Sequence, residues 1–502
     1  MAPHIRTVRT ASGARAVQIV YSKAGGRREL DHVGSAHDED EYQALLATAR
    51  KRLAGELQPE LDLGLATQAA GTAEITSSRM GWLWDLLGLA FDQLGFAEVP
   101  GPGDGDVFRR LVLARIIEPV SKLDSIRVLE EAGLETPSYA TIKRRLPTYA
   151  TPGFRQRIAA KTAAHVGLGP ATLVLYDVTT LHFEVHEGDG FRESGFSKER
   201  RLEPQITLGL LADSNGFPLM IEAFEGNKAE TSTMLPVIRS FMAAHKLPDV
   251  VIVADAGMVS EANKRQLETE GLSFILGARV GQVPWVIQDW RNQHPGQDLP
   301  DGHVFTQPWP ASPSDQRRDH VFYYRYSAKS AARTLHGISE QVRKAEAAIA
   351  GKAAIKRNRF VKLTGGNRSV NRSLEEKARS LAGIKGYVTN LTEWPAEQVI
   401  AAYHQLFQVE QSFRMSKSDL RARPVFHRVR DSIEAHLNIV FAALAISRWL
   451  ENATGWSIRK IVKTLRRYRT IEITIAGHTI TAADPVPADI AELIDEIKGA
   501  LI

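Results

Sequence analysis

Short apolar runs recur through the middle of the chain. Residues 172 to 178, 204 to 212 (PQITLGLLA), 217 to 224 (FPLMIEAF), 250 to 254 and 273 to 278 (SFILGA) have the length and composition of strands. Apolar spacing of three and four predicts helices near 231 to 245 and 259 to 270. DSNGF, between the second and third runs, has the residues of a hairpin turn. Three strands followed by helix, strand, helix and strand predict a mixed sheet with helices on its faces, an α/β fold.

Upstream the pattern is mainly helical. Helices are expected from about Glu41 to Leu57, from Trp82 to Leu94 and over VFRRLVLARIIEP, after a short basic β-hairpin within residues 5 to 34. SKLDSIRVLEEAGLETPSYATIKRRL (121 to 146) reads as helix, glycine turn, helix. Its second helix carries Lys143, Arg144 and Arg145, as a helix lying in a DNA groove would. VPGPGDGD (99 to 106) is a clear break. Residues 281 to 384 interrupt the sheet pattern with Trp285, Trp290, Trp309, the loop WPASPSD and the strand VFYYRYS, and read as an insertion. The sheet pattern resumes at IKGYVTN (384 to 390), and one long helix follows from about Ala396 to Ser418.

These breaks predict six segments. They are 1–100, an N-terminal hairpin and helical region; 101–165, helix-turn-helix-like; 166–280, the first part of the sheet domain; 281–384, the insertion; 385–455, its second part with the long helix; and 456–502, a basic helical region.

A hydrophobic share of 43% with 24% charged residues is ordinary for a soluble globular protein. The longest apolar run, Leu437 to Ile446, is about half a membrane span, and MAPHIRTVRT lacks the apolar core of a secretory signal. The expectation is a cytoplasmic protein, nucleoid-associated if its partner is DNA, with no membrane partner. The absence of cysteine excludes disulfides, thiol catalysis and cysteine-bound zinc. Carboxylate, imidazole and hydroxyl chemistry remain. Net charge is only +5, but the basic residues cluster in 352 to 372, 413 to 430 and 459 to 469, with Asp419 the single acid among them. Such clusters point to a polyanionic partner, and nucleic acid is the obvious one.

Two apolar strands end in an acid. Asp177 follows VLY and Asp255 follows VVIVA, and in a βββαβα order the first and fourth strands are neighbours. Two bare carboxylates side by side repel unless one takes a proton or a cation lies between them. Magnesium prefers a few carboxylates with several waters, and two such ions can clamp the attacking and leaving oxygens of a phosphodiester. On the long helix, YHQLFQVEQSFRMSK presents Tyr403, Glu410 and Lys417 at intervals of seven, hence on one face. Glu410 is the expected third metal ligand. Tyr403, Lys417 and Arg414 are expected on phosphates near the bond that breaks, and Phe407 and Phe413 are expected to fix the helix to the sheet.

DVTTLHFE at Asp177, GFPLMIEAFEGNKAETSTMLPVI (216 to 238), ADAGM at Asp255 and the helix signature together resemble a DDE transposase of the insertion-sequence-four kind, in its DVTT branch. The resemblance covers about Val107 to Leu450; Tyr403, Glu410 and Lys417 match the signature, while Leu406 stands where it has arginine. The resemblance implies an RNase H-like core interrupted by an insertion domain before the glutamate, and a helical N-terminal part that binds element ends. It implies magnesium, or manganese in its place, as two ions, and a homodimer in a synaptic complex with the element's terminal repeats and target DNA. The implied activity is cleavage at the element ends and strand transfer into target, of the cut-and-paste type. The alternatives are an inactive DNA-binding derivative and an RNase H-like nuclease that does not join strands. Trp285 and Trp290 are the candidates for stacking on a flipped base.

Overall fold

The computed structural model describes all residues except 1–2, 11–12, 23–27, 58–72, 102–104, 170–171, 186, 196–202, 248, 259, 314, 316, 353–357, 365–366, 423–428, 476–477 and 501–502. Two compact units emerge, Met1–Ala73 and Glu74–Ile502.

In the first unit β1 (His4–Arg9), β2 (Arg15–Ser22) and β3 (Arg28–Ala36) form an antiparallel sheet in that order, followed by α1 (Glu39–Leu57). Val17, Ile19 and Ala49 are its buried centre. The expected hairpin thus has a third strand. RELDHVGSA has too few apolar positions to announce one, and its Leu30 lies exposed.

The second unit opens with β4 (Glu74–Arg79) and the helices α2 (Gly81–Gln93), α3 (Gly105–Ile117), α4 (Asp124–Glu131), α5 (Tyr139–Ala150) and α6 (Pro152–Val166). The sheet domain follows as β5 (Thr172–His182), β6 (Gln205–Ala212), β7 (Pro218–Glu225), α7 (Met234–His245), β8 (Val250–Ala254), α8 (Glu261–Thr269) and β9 (Ser273–Ala278). Next come α9 (Trp285–Gln293), β10 (Val304–Trp309), β11 (His320–Tyr326), α10 (Ala328–Ile349), β12 (Val361–Thr364), β13 (Asn367–Val370) and α11 (Arg372–Ser380). The chain ends with β14 (Ile384–Thr389), α12 (Ala396–His404), α13 (Leu406–Ser418), α14 (Arg430–Thr454), α15 (Ile458–Leu465), β15 (Thr470–Ile475), β16 (His478–Ala483) and α16 (Ala488–Gly499).

One sheet of eight strands, ordered β10-β11-β14-β9-β8-β5-β6-β7, organises this unit. β5, β6 and β7 are antiparallel, and β8 and β9 run parallel to β5. This is the mixed α/β, RNase H-like arrangement, with β5 between parallel β8 and antiparallel β6. Every residue of β6 and of β8 is buried, as expected for central strands covered on both faces. α12 packs on β8 and β9, α13 on β5 and β6, and α14 and α7 on β7.

Two segments differ from expectation. β10 and β11, within the expected insertion, pair through β14 with β9 and so lengthen the main sheet. α10, α11 and the β12–β13 hairpin keep a small core of their own, around Ile338, Val342 and Phe360, and α9, β10 and β11 share another, around Ile287, Phe305 and Tyr324. The C-terminal region, expected to be helical, contains the β15–β16 hairpin, and β15 pairs with β4 from the far end of the chain. α14 is longer and more apolar than the ten-residue run suggested. By length and composition it could cross a membrane, but its apolar stretch is wholly buried as the central core helix.

Candidate active site

The parallel register between β5 and β8 reaches Tyr176 beside Ala254, and there β8 ends. The next residue on each strand is an aspartate, so Asp177 and Asp255 occupy adjacent positions where the two strands part. Neighbouring strands lie about 4.8 Å apart. β5 itself continues to His182 along β6, so Asp177 lies in the middle of its strand rather than near its end. A cavity of about 440 Å³ opens at this point, lined by Asp177, Asp255 and Glu410 together with Tyr176, Lys385, Tyr403, His404, Leu406 and Phe407.

The expected single helix over 396–418 is two helices joined at Gln405. Its amide donates to Ala402 O and its carbonyl accepts from Gln408 N, tightened turns that break the regular ladder. Across this break Tyr403 and Glu410 still line the same cavity. Glu410 and Arg414 are exposed and Lys417 is half-buried. Neither Arg414 nor Lys417 lines the cavity.

Tyr403 differs most from expectation. It is 5% exposed, and its hydroxyl donates to Asp255 Oδ1 at 2.7 Å instead of facing phosphate. Its ring meets Tyr387 edge to face at 4.9 Å. Burial, and then the bond to Asp255, push the phenol well above its usual range, so it remains a donor at any working pH. Gly277 makes room for it, because a Cβ there would come within 2.7 Å of the Tyr403 hydroxyl and 2.9 Å of Ala256 N. On the other side, Tyr176 donates to Thr233 Oγ1 at 2.9 Å, which holds the strand beside Asp177.

Three lining residues had no sequence signal as site residues. Lys385, exposed on β14, sets its Nζ 4.7 Å over the Tyr403 ring and is the basic residue of the cavity wall beside His404. His404 accompanies it, its imidazole held down by burial and by Lys385 and Arg325, hence neutral at pH 7. Phe407 was expected to anchor the helix. It is instead 51% exposed at the cavity, and Phe413, 5% exposed, does the anchoring. Leu406, at the signature's arginine position, is a buried lining residue.

The remaining expected residues lie outside the cavity. Trp290 is half-buried, packs against a small core with Ile287 and Phe305 and stacks on His294 at 4.4 Å. Trp285, at the start of α9, is 59% exposed. α5 buries Ile142, Leu146 and Tyr149, packs against α14, and presents Lys143 and Arg144 outward, while Arg145 is half-buried.

Two aspartates and a glutamate are all hard oxygen donors, the set that suits magnesium. Among the described residues no three acidic or histidine side chains form a closed metal-holding group. The carboxylates line an open cavity, and the donor chemistry fits a site whose remaining ligands come from water and substrate.

With this geometry goes a family assignment: the chain belongs to the transposase DDE domain family, whose model matches residues 169–446, a span containing all three carboxylates. Among solved structures, it is similar to a piggyBac transposase synaptic complex with hairpin DNA, at 11% identity over 77% of this chain and 78% of that one, with a TM-score of 0.37. No curated protein sequence matches it.

Proposed function

We propose that this protein cleaves DNA at the ends of a mobile element and joins them to target DNA, in the cut-and-paste manner, as a member of the DVTT branch of insertion-sequence-four transposases. The observation that carries this reading is the adjacency of Asp177 and Asp255 at the parting of β5 and β8, with Glu410 lining the same cavity.

Asp177, Asp255 and Glu410 are the residues that would hold divalent metal, two magnesium ions or manganese in their place. When bound, the metal would activate the attacking oxygen and stabilise the leaving one. Tyr403 positions Asp255 by donating to Oδ1, which leaves that carboxylate's other oxygen for coordination. Lys385 brings positive charge to the wall where a scissile phosphate would lie, in place of the arginine that Leu406 replaces. Phe407 offers an exposed ring beside Glu410 for a sugar or base. Trp285 is the exposed aromatic for a flipped base, and Lys143 and Arg144 on α5 suit contacts to the element ends.

The working form in this reading is a homodimer in a synaptic complex with terminal repeats and target, acting in the cytoplasm on nucleoid DNA. The test is a joining assay on a plasmid carrying the gene with its native flanks and a second, target plasmid. Target molecules joined to the element's 3′ ends support the proposal. Cuts without joining would leave a nuclease, and binding without cuts a DNA-binding derivative.

A further inference from the structure

Two of the basic clusters in the sequence, 413–430 and 459–469, meet in space away from the carboxylates. The end of α13 and the face of α15 enclose a second cavity of about 460 Å³, within the size range of ligand sites. Arg421, Arg459, Lys463 and Arg466 line it, Asp419 is its single acid among the described residues, and Ile116 and Ile117 of α3 add apolar surface. Asp419 pairs with Arg459, leaving the other three cations without a counter-charge among the described residues of the wall. Arg421, Lys463 and Arg466 make no side-chain hydrogen bond or ion pair among the described residues.

Several features make this arrangement costly for a fold that needs it only for packing. Arg459, Lys463 and Arg466 recur at four and three, so like charges share one face of α15. Arg421 has a φ of 43°, the left-handed region in which a side chain is strained and glycine is the usual residue after a helix. Next to Ile116 on α3, Arg115 is 6% exposed, and its side chain makes no hydrogen bond or ion pair among the described residues. Burial there pushes its guanidinium down to about 10.

We infer that this cavity binds backbone phosphate of DNA, as a contact separate from the carboxylate cavity. Guanidinium and ammonium groups without a partner among the described residues, around a concave, partly apolar pocket, are what a phosphodiester takes up. α13 connects the two sites. From Glu410 to Ser418 the helix rises about 12 Å, a distance that duplex DNA covers in about four base-pair steps. Exposed Arg414 lies between them on the same helix. The phosphates held here would thus lie a few steps from the bond being cut. The inference rests on the proposed function only for the identity of the polyanion.

The test measures affinity for a duplex of the gene's native flank across a salt series, with Glu410→Gln throughout to prevent cutting. The variants are Arg421→Gly, Lys463→Ala with Arg466→Ala, and all three combined. The triple variant should lower the slope of log affinity against log salt by about 2 to 3, near one for each phosphate no longer neutralised. Arg421→Gly alone should weaken binding while leaving the melting temperature unchanged or higher, since glycine suits that backbone; a merely structural role predicts no loss of binding. An unchanged slope in the folded triple variant, with wild-type cleavage intact, overturns this inference alone. No duplex binding by the Glu410→Gln parent overturns it together with the proposed function.

Discussion

The hydroxyl of Tyr403 lies 2.7 Å from Asp255 Oδ1, and this bond ties the helix before the break to the strand that carries the second aspartate. In Tyr403→Phe the ring keeps its place against Tyr387, and only the bond disappears. The fold should lose about 1 kcal/mol. Cleavage should fall by about 10- to 100-fold, with the metal concentration for half-maximal rate rising, as for loss of a partner that orients a ligand. A rate series against magnesium concentration checks this. An unchanged metal dependence would make Tyr403 a packing residue only.

Gly277→Ala should act on the same bond from the opposite side. The added methyl would lie 2.7 Å from the Tyr403 hydroxyl and 2.9 Å from Ala256 N, closer than real contacts allow, so the tyrosine or the Asp255 loop must move. The expected outcome is a folded protein with cleavage reduced at least as far as in Tyr403→Phe. The double variant should be little worse than the worse single one, because both remove one interaction. Multiplying losses in the double variant would show that the two act separately.

Arg155 joins α6, β7 and α14. It is buried, and donates to Glu222 Oε1 at 2.6 Å, to Asn438 Oδ1 at 3.2 Å and to Glu434. Burial pushes the Glu222 carboxyl up, while Arg155 draws it down. Arg155→Met would leave two carboxylates without their shared partner and should cost about 3–5 kcal/mol in chemical denaturation. Replacing Glu222 as well by Gln should recover part of that loss. A single-variant cost below about 1 kcal/mol would contradict the role given to the network.

Acid should destabilise the fold through its histidines. His404 is pushed down by burial and then by Lys385 and Arg325, while burial leads the same shift in His165, His245 and His320. A histidine whose folded value lies below its ordinary value of about 6.5 contributes stability above that pH and loses it as pH falls toward the folded value. Melting temperature should therefore decline as pH drops below about 6.5, and His404→Gln should remove part of that decline. At pH 7.5, where His404 is neutral, the same variant should leave the salt dependence of DNA binding unchanged. A shallower salt slope at that pH would mean that His404 carries charge there.

The sheet was legible in the sequence because β6 to β9 are largely buried and read as apolar runs ending at turns, and β5 opens with the apolar run that leads into Asp177. Those runs also exposed Asp177 and Asp255, as acids where burial forbids them. The break at Gln405 was not legible, since no glycine or proline marks it; a local turn and the pull of Tyr403 toward Asp255 accompany it. Pairing of β4 with β15 was hidden for a different reason. EITSSR lacks the apolar alternation of a strand, and its partner lies almost four hundred positions away, as in Thr76 to Glu472. Lys385 escaped notice because an exposed lysine on a strand carries no local signal, and only the register of β14 against β9 brings it to the cavity.

The most direct measurement is metal-dependent cleavage of DNA carrying the gene's native flanks, with the natural protein, Asp177→Asn, Asp255→Asn and Glu410→Gln compared in magnesium, in manganese and in chelator. A shared carboxylate site predicts cuts at the flanks with either metal, none in chelator, and loss of cleavage by at least about a thousandfold in each of the three variants while flank binding persists. Cleavage that survives chelator, or that survives any one of the three substitutions, would contradict it.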